Sequence, residues 1–381
     1  MQPFTKLVLL FLIPLVLVLL LYPLYPYFLT FFQPEDIAQA ELTPTRQFDL
    51  KEQDIEGNKL FLPEDLEIKV YAKDLGKVRF LAVHEGFLYA SLPQEGKIIK
   101  IIDNNSDEKG DEVKVVADQL FYPHGLQFYE GKLYVAVQDG VVVLSELNET
   151  GEYTKKEQII KDIPIGGNHI TRTLLIHDSY IYLSVGSSCN LCIDEPKRAV
   201  VLRYNLDGSW EKVCAKGLRN SVGMIAVKDQ VWATDNGADL LGDNFPPEEI
   251  NIITCGKDYG WPSCHGRQTE DPDFGEGTCQ ETELPYITLQ AHSAPLGLRV
   301  AENFPYEGLF VAYHGSWNRR EPTGYKIVRI INYDTEPTVE DFITGWIDGK
   351  WGRPVDILFH DGKMFISDDG GGRIYLVKPK S

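Results

Sequence analysis

The stretch "LLIHDSYIYLSV" (174–185) decides the fold. A short apolar run leads into His177-Asp178-Ser179, and an apolar-aromatic run follows. Two β-prone runs separated by a few polar residues predict a β-hairpin. The pattern occurs six times, with most copies about 45 residues apart. The copies lie at 81–91, 126–137, 174–185, 224–235, 298–313 and 357–368.

Regularly spaced hairpins predict an all-β fold, a six-bladed β-propeller. Most copies precede a further strand, such as "AVVLRYNLDG" (199–208). The fourth interval is longer and holds an insertion between about 236 and 290. The early strand "LEIKVYA" (66–72) has no hairpin of its own, so we expect it to join the last blade and close the ring. A chain of 381 residues, 43% of them hydrophobic, suffices for one large all-β domain.

The N-terminal residues 1–32 are interpreted as a transmembrane helix, because 7–32 contain no charged residue and can span a bilayer. Lys6 precedes this run and acidic residues follow it, which predicts a single-pass anchor in the cell membrane with the propeller on the extracytoplasmic side. The alternative is a cleaved signal peptide and a secreted or periplasmic protein. Residues 33–60 are polar without apolar periodicity and are predicted as a linker to a propeller at 61–381.

The net charge of −19 argues against a nucleic-acid partner, whose phosphates require clustered cations. Six cysteines, an even number, suggest disulfides in an extracytoplasmic protein. The spacing of Cys189 and Cys192 predicts a local bridge. Cys264 and Cys279 form a plausible second pair, and Cys214 with Cys255 would follow by elimination.

The segments before the innermost strands and the loops between the second and third strands of the blades meet at one face, which we call the mouth face. Clustered arginines in an acidic chain suggest an anionic ligand there, and a neutral histidine suggests a general base. The alternatives are a histidine that bridges two blades and arginines in inter-blade salt bridges. The candidates are His124, His169, Arg172, Arg219, Asn220, His314, Arg319 and Arg353.

The loop "DNGADLLGDNFPPEEIN" (235–251) is rich in carboxylates, including Glu248 and Glu249. Hard oxygen ligands in a flexible loop suit Ca²⁺. A solvated acidic loop without metal is the alternative.

Five motifs resemble the glucose/sorbosone dehydrogenases, and the sorbosone-dehydrogenase-like members most. The motifs are "GNHITRTLLI" (167–176), "GLRNSVGM" (217–224), "EEINIITCGKDYGWP" (248–262), "HGSWNRREPTGYKIVRI" (314–330) and "GRPVDILFHDGKMFISD" (352–368). The resemblance runs from about residue 60 to the end. It implies a quinoprotein sugar dehydrogenase, an oxidoreductase that acts on CH–OH groups with a six-bladed propeller, pyrroloquinoline quinone (PQQ) and Ca²⁺.

The resemblance also implies roles for individual residues. His169 would be the catalytic base for oxidation of a sugar C1 hydroxyl or aldehyde, with hydride transfer to the quinone. Arg219 and Asn220, Arg319 or Arg320, and Arg353 would hold PQQ, and we add Arg172 to this cofactor-binding set. Ca²⁺ would be held by Glu248, Glu249, Tyr259 and the carbonyl of Gly237.

The expected partners are a small-molecule sugar, an electron acceptor that the sequence does not name, and the membrane through the anchor. Two other functions remain open at this point. A calcium-dependent hydrolase of lactonase type would use the acidic loops, and a non-catalytic binding propeller would keep only the scaffold.

Overall fold

The computed structural model describes residues 34–380. The predicted anchor at 1–32 lies outside these residues. Among the residues described, no helix is both long and apolar enough to cross a membrane. This part of the chain folds into β-strands, with short 3-10 helices at Cys279–Glu281 and Ile347–Gly349.

The strands form six blades of four strands each, with a short fifth strand added at the outer edge of blades 3 and 5, which confirms the predicted propeller. The first strands are Thr45–Arg46 (β1), Lys51–Ile55 (β2), Asn58–Leu62 (β3) and Leu66–Ala72 (β4). Blade 1 contains Leu81–His84 (β5), Phe87–Leu92 (β6), Lys97–Ile102 (β7) and Glu112–Ala117 (β8). Blade 2 contains Leu126–Tyr129 (β9), Lys132–Val137 (β10), Gly140–Leu147 (β11) and Tyr153–Ile160 (β12). Blade 3 contains Arg172–His177 (β13), Tyr180–Val185 (β14), Val200–Asn205 (β15) and Lys212–Lys216 (β16).

Blade 4 includes the predicted insertion. It contains Met224–Val227 (β17), Gln230–Asp235 (β18) and Glu248–Ile253 (β19), then the inserted strands Lys257–Asp258 (β20), Cys264–His265 (β21) and Thr269–Glu270 (β22), and last Ile287–Leu289 (β23). Blade 5 contains Pro295–Val300 (β24), Leu309–Tyr313 (β25), Lys326–Ile331 (β26) and Thr338–Ile343 (β27). Blade 6 contains Pro354–His360 (β28), Lys363–Asp368 (β29) and Arg373–Pro379 (β30).

The ring closes between the two ends of the propeller. Strand β4 pairs antiparallel with β30, with Val70 opposite Tyr375, and so becomes the outer strand of blade 6. This confirms the closure expected for "LEIKVYA".

The core lies between neighbouring blades. In β11, every residue from Gly140 to Leu144 is buried, because the sheet of blade 2 is covered on both faces. Side chains from blades 2 and 3, such as Tyr134 and Ile181, pack in one shared cluster. Each fully buried Val or Leu side chain contributes about 1.5–3 kcal/mol, so the blades stabilise one another.

The segment predicted as a linker packs on the propeller from residue 34 onward. We call residues 34–50 the N-terminal strap. Its strand β1 pairs parallel with β27, and Arg46 forms a 2.6 Å salt bridge with the fully buried Glu340. Thr43 Oγ1 accepts a 3.0 Å hydrogen bond from the amide of Thr288. The strap is held by strand-edge hydrogen bonds, the Arg46 salt bridge and the contact of Phe48 with Phe342, and this attachment needs no apolar periodicity in its sequence.

Three disulfides stiffen blades 3 and 4, as the cysteine count suggested. They join Cys189 to Cys192, Cys214 to Cys255 and Cys264 to Cys279. The first lies in the loop of blade 3 at the mouth face, and the other two secure the insertion of blade 4.

Candidate active site at the mouth face

His169 stands in the segment before β13, beside the mouth-face loop of blade 3. Its Nδ1 lies 3.0 Å from the carbonyl oxygen of Ser187 and 2.9 Å from the Ser187 hydroxyl. Because the carbonyl can only accept, Nδ1 carries the proton and Nε2 keeps its lone pair. Burial, together with the nearby Arg219, lowers the pKa of His169 to about 3. The imidazole is therefore neutral over the physiological pH range.

Two glycines explain the local shape around this histidine. Gly167 has a φ of 84°, and a Cβ at this position would lie 2.6 Å from the Ser188 Cα. Gly186 leaves space for two side chains at once, because a Cβ there would lie 2.6 Å from the His169 Cβ and 2.8 Å from the Asn220 Oδ1. Gly186 thus lets His169 and Asn220 converge. The sequence did not predict this role of Gly186, because the need for glycine arises only where the folded chain brings the His169 and Asn220 side chains close to it.

Arg219 lies in the wall of the mouth with its guanidinium bonded to protein. It donates five hydrogen bonds, to both oxygens of Asn190, to the carbonyls of Asn236 and Gly237, and to Asp239 at 2.8 Å. The second carboxylate oxygen of Asp239 accepts from Asn318 Nδ2 at 2.9 Å. This network joins the loops of blades 3, 4 and 5. Asn190 and Asn318 were not predicted as site residues, although Asn318 lies in the motif at 314–330, because their partners come from another blade.

Arg353 belongs to a second charged cluster across the mouth. It donates to the carbonyls of His314 and Gly315 at 2.9 and 2.6 Å. His314 Nε2 lies 2.8 Å from Asp369, whose other oxygen accepts from Arg79 at 2.7 Å. Burial opposes ionisation of Asp369, but His314 and Arg79 hold its pKa well below its usual range. Burial lowers the pKa of His314 to about 4.

His124 adjoins this second cluster. Arg79 Nε lies 3.4 Å from His124 Nε2, and the His124 ring is fully buried. Burial, followed by the charge of Arg79, lowers the pKa of His124 well below its usual value. His124 therefore bridges blades as a neutral ring that contacts Arg79 and Thr173.

Arg319 and Arg320 lie on the rim, in the mouth-face loop of blade 5. Arg319 Nη2 donates to Asn244 Oδ1 at 2.7 Å, and Asn244 Nδ2 in turn donates to Asp36 of the strap at 3.0 Å. Arg320 is half-exposed and forms a 3.5 Å salt bridge with Asp243. The Nε of Arg319 is buried without a hydrogen-bond partner among residues 34–380, so an anion would reach it only if the surrounding loop moves.

Arg172 lies behind His169 and is fully buried. Its guanidinium donates to the carbonyls of Pro164, His169 and Thr171 at 2.7–2.8 Å. It therefore supports the backbone that carries His169, which differs from the cofactor contact expected from the sequence. Arg172 is the first residue of β13, and its guanidinium turns back to the carbonyls of the segment that precedes the strand.

Three carboxyl groups lie close together beneath the mouth, of which Asp235 and Glu248 are buried and Glu249 is partly buried. Burial raises the pKa of Glu248 and of Glu249 to about 8, and that of Asp235 to about 7. Glu248 accepts from the amides of Gly237 and Ala294, and Glu249 accepts from Asn251 Nδ2. Two buried carboxyl groups with a third beside them are costly to ionise without a cation.

A small cavity lies against this carboxylate group. Its volume is about 20 Å³, and Asp235, Gly237, Glu249 and Tyr259 are among the residues that line it. The Tyr259 hydroxyl is turned away, because it donates to the carbonyl of Ile252 and accepts from the amide of Thr254. The carboxylates of Asp235 and Glu249 are the kind of ligand that Ca²⁺ prefers, but Arg219 also lines the cavity and donates to the Gly237 carbonyl at 2.7 Å.

Comparison with known proteins identifies the class of propeller. The sequence profile of the TrAA12-like family matches residues 61–273 and 266–380. The chain therefore belongs to this family, which confirms the resemblance to quinoprotein sugar dehydrogenases inferred from the motifs.

Two curated proteins show similarity over most of the chain. An uncharacterized protein of Borreliella burgdorferi is 35% identical over 298 residues, which cover 71% of this chain and 79% of the relative. The pyrroloquinoline quinone-dependent pyranose dehydrogenase of Coprinopsis cinerea is 23% identical over 350 residues. That match covers 70% of this chain and 48% of the fungal enzyme, so this chain spans about half of its length.

Solved structures share the fold. The calcium structure of Trichoderma reesei family AA12 has a TM-score of 0.76 at 18% identity and covers 87% of this chain and 99% of that chain. The holo PQQ domain of the Coprinopsis cinerea pyranose dehydrogenase has a TM-score of 0.74 at 19% identity, with coverages of 89% and 100%. The apo soluble aldose sugar dehydrogenase of Escherichia coli has a TM-score of 0.61 at 17% identity, with coverages of 83% and 100%.

Proposed function

We propose that this protein is a PQQ-dependent sugar dehydrogenase that oxidises the C1 hydroxyl of an aldose or pyranose at the mouth face. One observation carries the proposal. His169 is a neutral histidine with its proton fixed on Nδ1, beside Asn220 and within a mouth that contains several arginines. Family membership supports the same conclusion.

The residues of the mouth suit an anionic quinone. Arg319 would offer its Nε once the surrounding loop moves, and Arg320 and Arg353 add positive charge around the opening. Asn220 approaches the same space from blade 4, and Arg219 supports this wall, because its five N–H donors are all bonded to protein. Bound PQQ would supply the two-electron acceptor for the hydride that leaves the sugar carbon.

The chain itself contributes a base and its support. Nε2 of His169 would accept the proton of the sugar hydroxyl, while Ser187 holds the ring orientation and Arg172 holds the backbone. The low pKa of His169 keeps the base unprotonated. A negatively charged ligand in the mouth would offset the nearby arginine charge and raise that pKa toward the working range, where a general base is most effective.

Ca²⁺ would bind in the cavity beneath the mouth. Of the predicted ligands, Glu249 and Gly237 line this cavity, but the Gly237 carbonyl accepts from Arg219 and the Tyr259 hydroxyl is turned away, so full ligation requires these contacts to rearrange. Both oxygens of Glu248 already accept backbone amides, so this residue also fixes the peptide of Gly237. A hydrolase of lactonase type would need an open metal at the mouth, whereas Glu248 is buried and Glu249 is partly buried.

Two finer points extend the proposal. The sugar oxidation takes place on the extracytoplasmic side, with the protein either anchored through residues 1–32 or secreted after cleavage. The sugar and the electron acceptor would be identified by assay.

The test is reconstitution of the full chain with PQQ and Ca²⁺, followed by dye reduction with a panel of aldoses and pyranoses. PQQ binding is measured separately by the change in its absorbance, and hydrolysis of a lactone panel is run beside it. We expect sugar-dependent dye reduction only with PQQ. Lactone hydrolysis without PQQ, or a failure to bind PQQ, would refute the proposal.

A further inference from the structure

The mouth face carries a ring of exposed apolar side chains. One lies in a mouth-face segment or loop of each of blades 2, 4, 5 and 6, and two lie in blade 3. They are Phe121, Ile165, Ile193, Leu240, Trp317 and Ile347. Ile193 is 78% exposed and Trp317 is 50% exposed.

Fewer lie in the loops away from this face. Among residues 34–380, the other exposed large apolar side chains are Leu147, Trp210 and Leu284 in connecting segments, Val113, Val115 and Val213 on outer strands, and Ile37 and Leu42 in the strap. Trp210 is partly covered by the Arg203 guanidinium, which lies 5.5 Å from its ring. Isolated apolar residues on a surface are ordinary, but their concentration around one end of a propeller indicates an interaction surface.

The position of the strap indicates what kind of surface would contact this ring. Its N-terminal end is fixed at the mouth face, where Asp36 accepts hydrogen bonds from the amide and the Nδ2 of Asn244 at 2.7 and 3.0 Å. The Ile37 amide also donates to the carbonyl of Leu241. The charge-free sequence 7–32 ends four residues before Asp36. Four residues reach at most roughly 14 Å, so a bilayer that takes up 7–32 must lie next to the mouth face.

We propose that the mouth face is a membrane-docking surface whose apolar ring inserts into the interface of a lipid bilayer. Exposed aromatic and aliphatic side chains around a polar centre are the arrangement that partitions into the headgroup region. The protein carries a net charge of −19, so the matching surface is an uncharged, zwitterionic bilayer and not an anionic one. The proposal goes beyond the dehydrogenase function and does not depend on it.

Tryptophan fluorescence tests the proposal, because the two most exposed tryptophans lie on opposite faces. Trp317 belongs to the ring, whereas the 57% exposed Trp210 lies on the opposite face. The full chain is placed in phosphatidylcholine vesicles with and without lipids brominated in the upper acyl chain, which quench only tryptophans in contact with them. We expect quenching in the wild type and in Trp210→Phe, and a loss of at least half of it in Trp317→Phe.

A second pair of variants separates docking from damage to the fold. Ile193→Glu should weaken the quenching at least two-fold, and Leu147→Glu on the opposite face should leave it unchanged, with both variants checked for an unaltered melting temperature. The proposal is overturned if vesicle-bound protein shows no quenching, or if quenching depends on Trp210 in place of Trp317. Failure of the full chain to associate with the vesicles would also overturn it.

Discussion

His169 is held on one side by Ser187 and from behind by Arg172, so its position does not depend on a bound ligand. We predict that His169→Asn lowers turnover by about 10²–10⁴-fold, the usual contribution of a positioned general base. PQQ affinity should change little, because asparagine keeps a polar group of similar reach. Dye-reduction kinetics and a PQQ titration on the same sample measure the two effects.

A histidine that only bridges blades gives another pattern. Its replacement would cost about 1–3 kcal/mol through unpaired buried partners, with turnover per folded molecule unchanged. A destabilised but fully active His169→Asn protein would therefore end the catalytic assignment.

Arg219→Ala should behave differently from the histidine variant. Its side chain joins Asn190, the carbonyl of Gly237 and Asp239, so the change leaves several buried acceptors without a donor. We predict a loss of about 1–3 kcal/mol in the free energy of unfolding together with weaker PQQ binding. Arg320→Ala, on the exposed rim, is the matched control and should lower PQQ affinity without a stability cost. Unchanged melting of Arg219→Ala would show that the network is not structural.

At the scale of elements, the hairpins were predictable and the strap was not. A hairpin such as 174–185 is encoded locally by alternating side chains and a polar turn. The strap pairs with β27, about 290 residues away in sequence, and it has no periodic signal of its own. The contacts within the mouth could not be predicted for the same reason, because the partners of Arg219 come from the loops of blades 3 and 4.

The strap leads to a prediction about truncation. A chain shortened to begin at residue 51 loses β1, the Thr43 contact and the Arg46–Glu340 salt bridge. We expect it to fold, because Glu340 keeps Arg329 as a partner at 3.0 Å, but to melt at a lower temperature than a chain that begins at residue 34. Equal melting temperatures of the two chains would show that the strap does not stabilise the propeller.

Removal of Ca²⁺ should act on the insertion of blade 4. A cation bound only by the native state stabilises it by about 2.7 kcal/mol at a concentration 100-fold above its Kd. Chelation should therefore lower the melting temperature, and the double variant Glu248→Gln/Glu249→Gln should abolish that sensitivity. Glu270→Gln and Glu276→Gln, at exposed positions of the same insertion, serve as the control. A melting curve indifferent to chelator would remove Ca²⁺ from the proposal.

At the scale of the whole molecule, the mouth contains buried ionisable groups of two kinds, and a change of pH affects their contributions to the free energy of unfolding in opposite directions. Burial disfavours ionisation of the Glu248 and Glu249 carboxyls, and it equally disfavours protonation of His169 and His314. The carboxyl contribution is fully present below about pH 4.5 and is lost as the pH rises toward about 8. The contribution of the histidines to stability changes in the opposite direction, because it is lost as the pH falls. The pH profile of the wild type alone therefore does not separate the two kinds of group.

Comparing the stability of the wild type with that of His169→Asn isolates the contribution of His169 to the pH dependence. The pKa of His169 is about 6.5 in the unfolded chain and about 3 in the folded protein, so the unfolded state binds more protons between these values. The wild type must therefore lose stability relative to His169→Asn as the pH falls from 7 to 4, by at most about 1.4 kcal/mol per pH unit below 6.5. Denaturant unfolding of both proteins at pH 7, 5.5 and 4 measures this difference. A stability difference that stays constant over the range would mean that His169 is not held neutral, and the proposed base would lose its physical support.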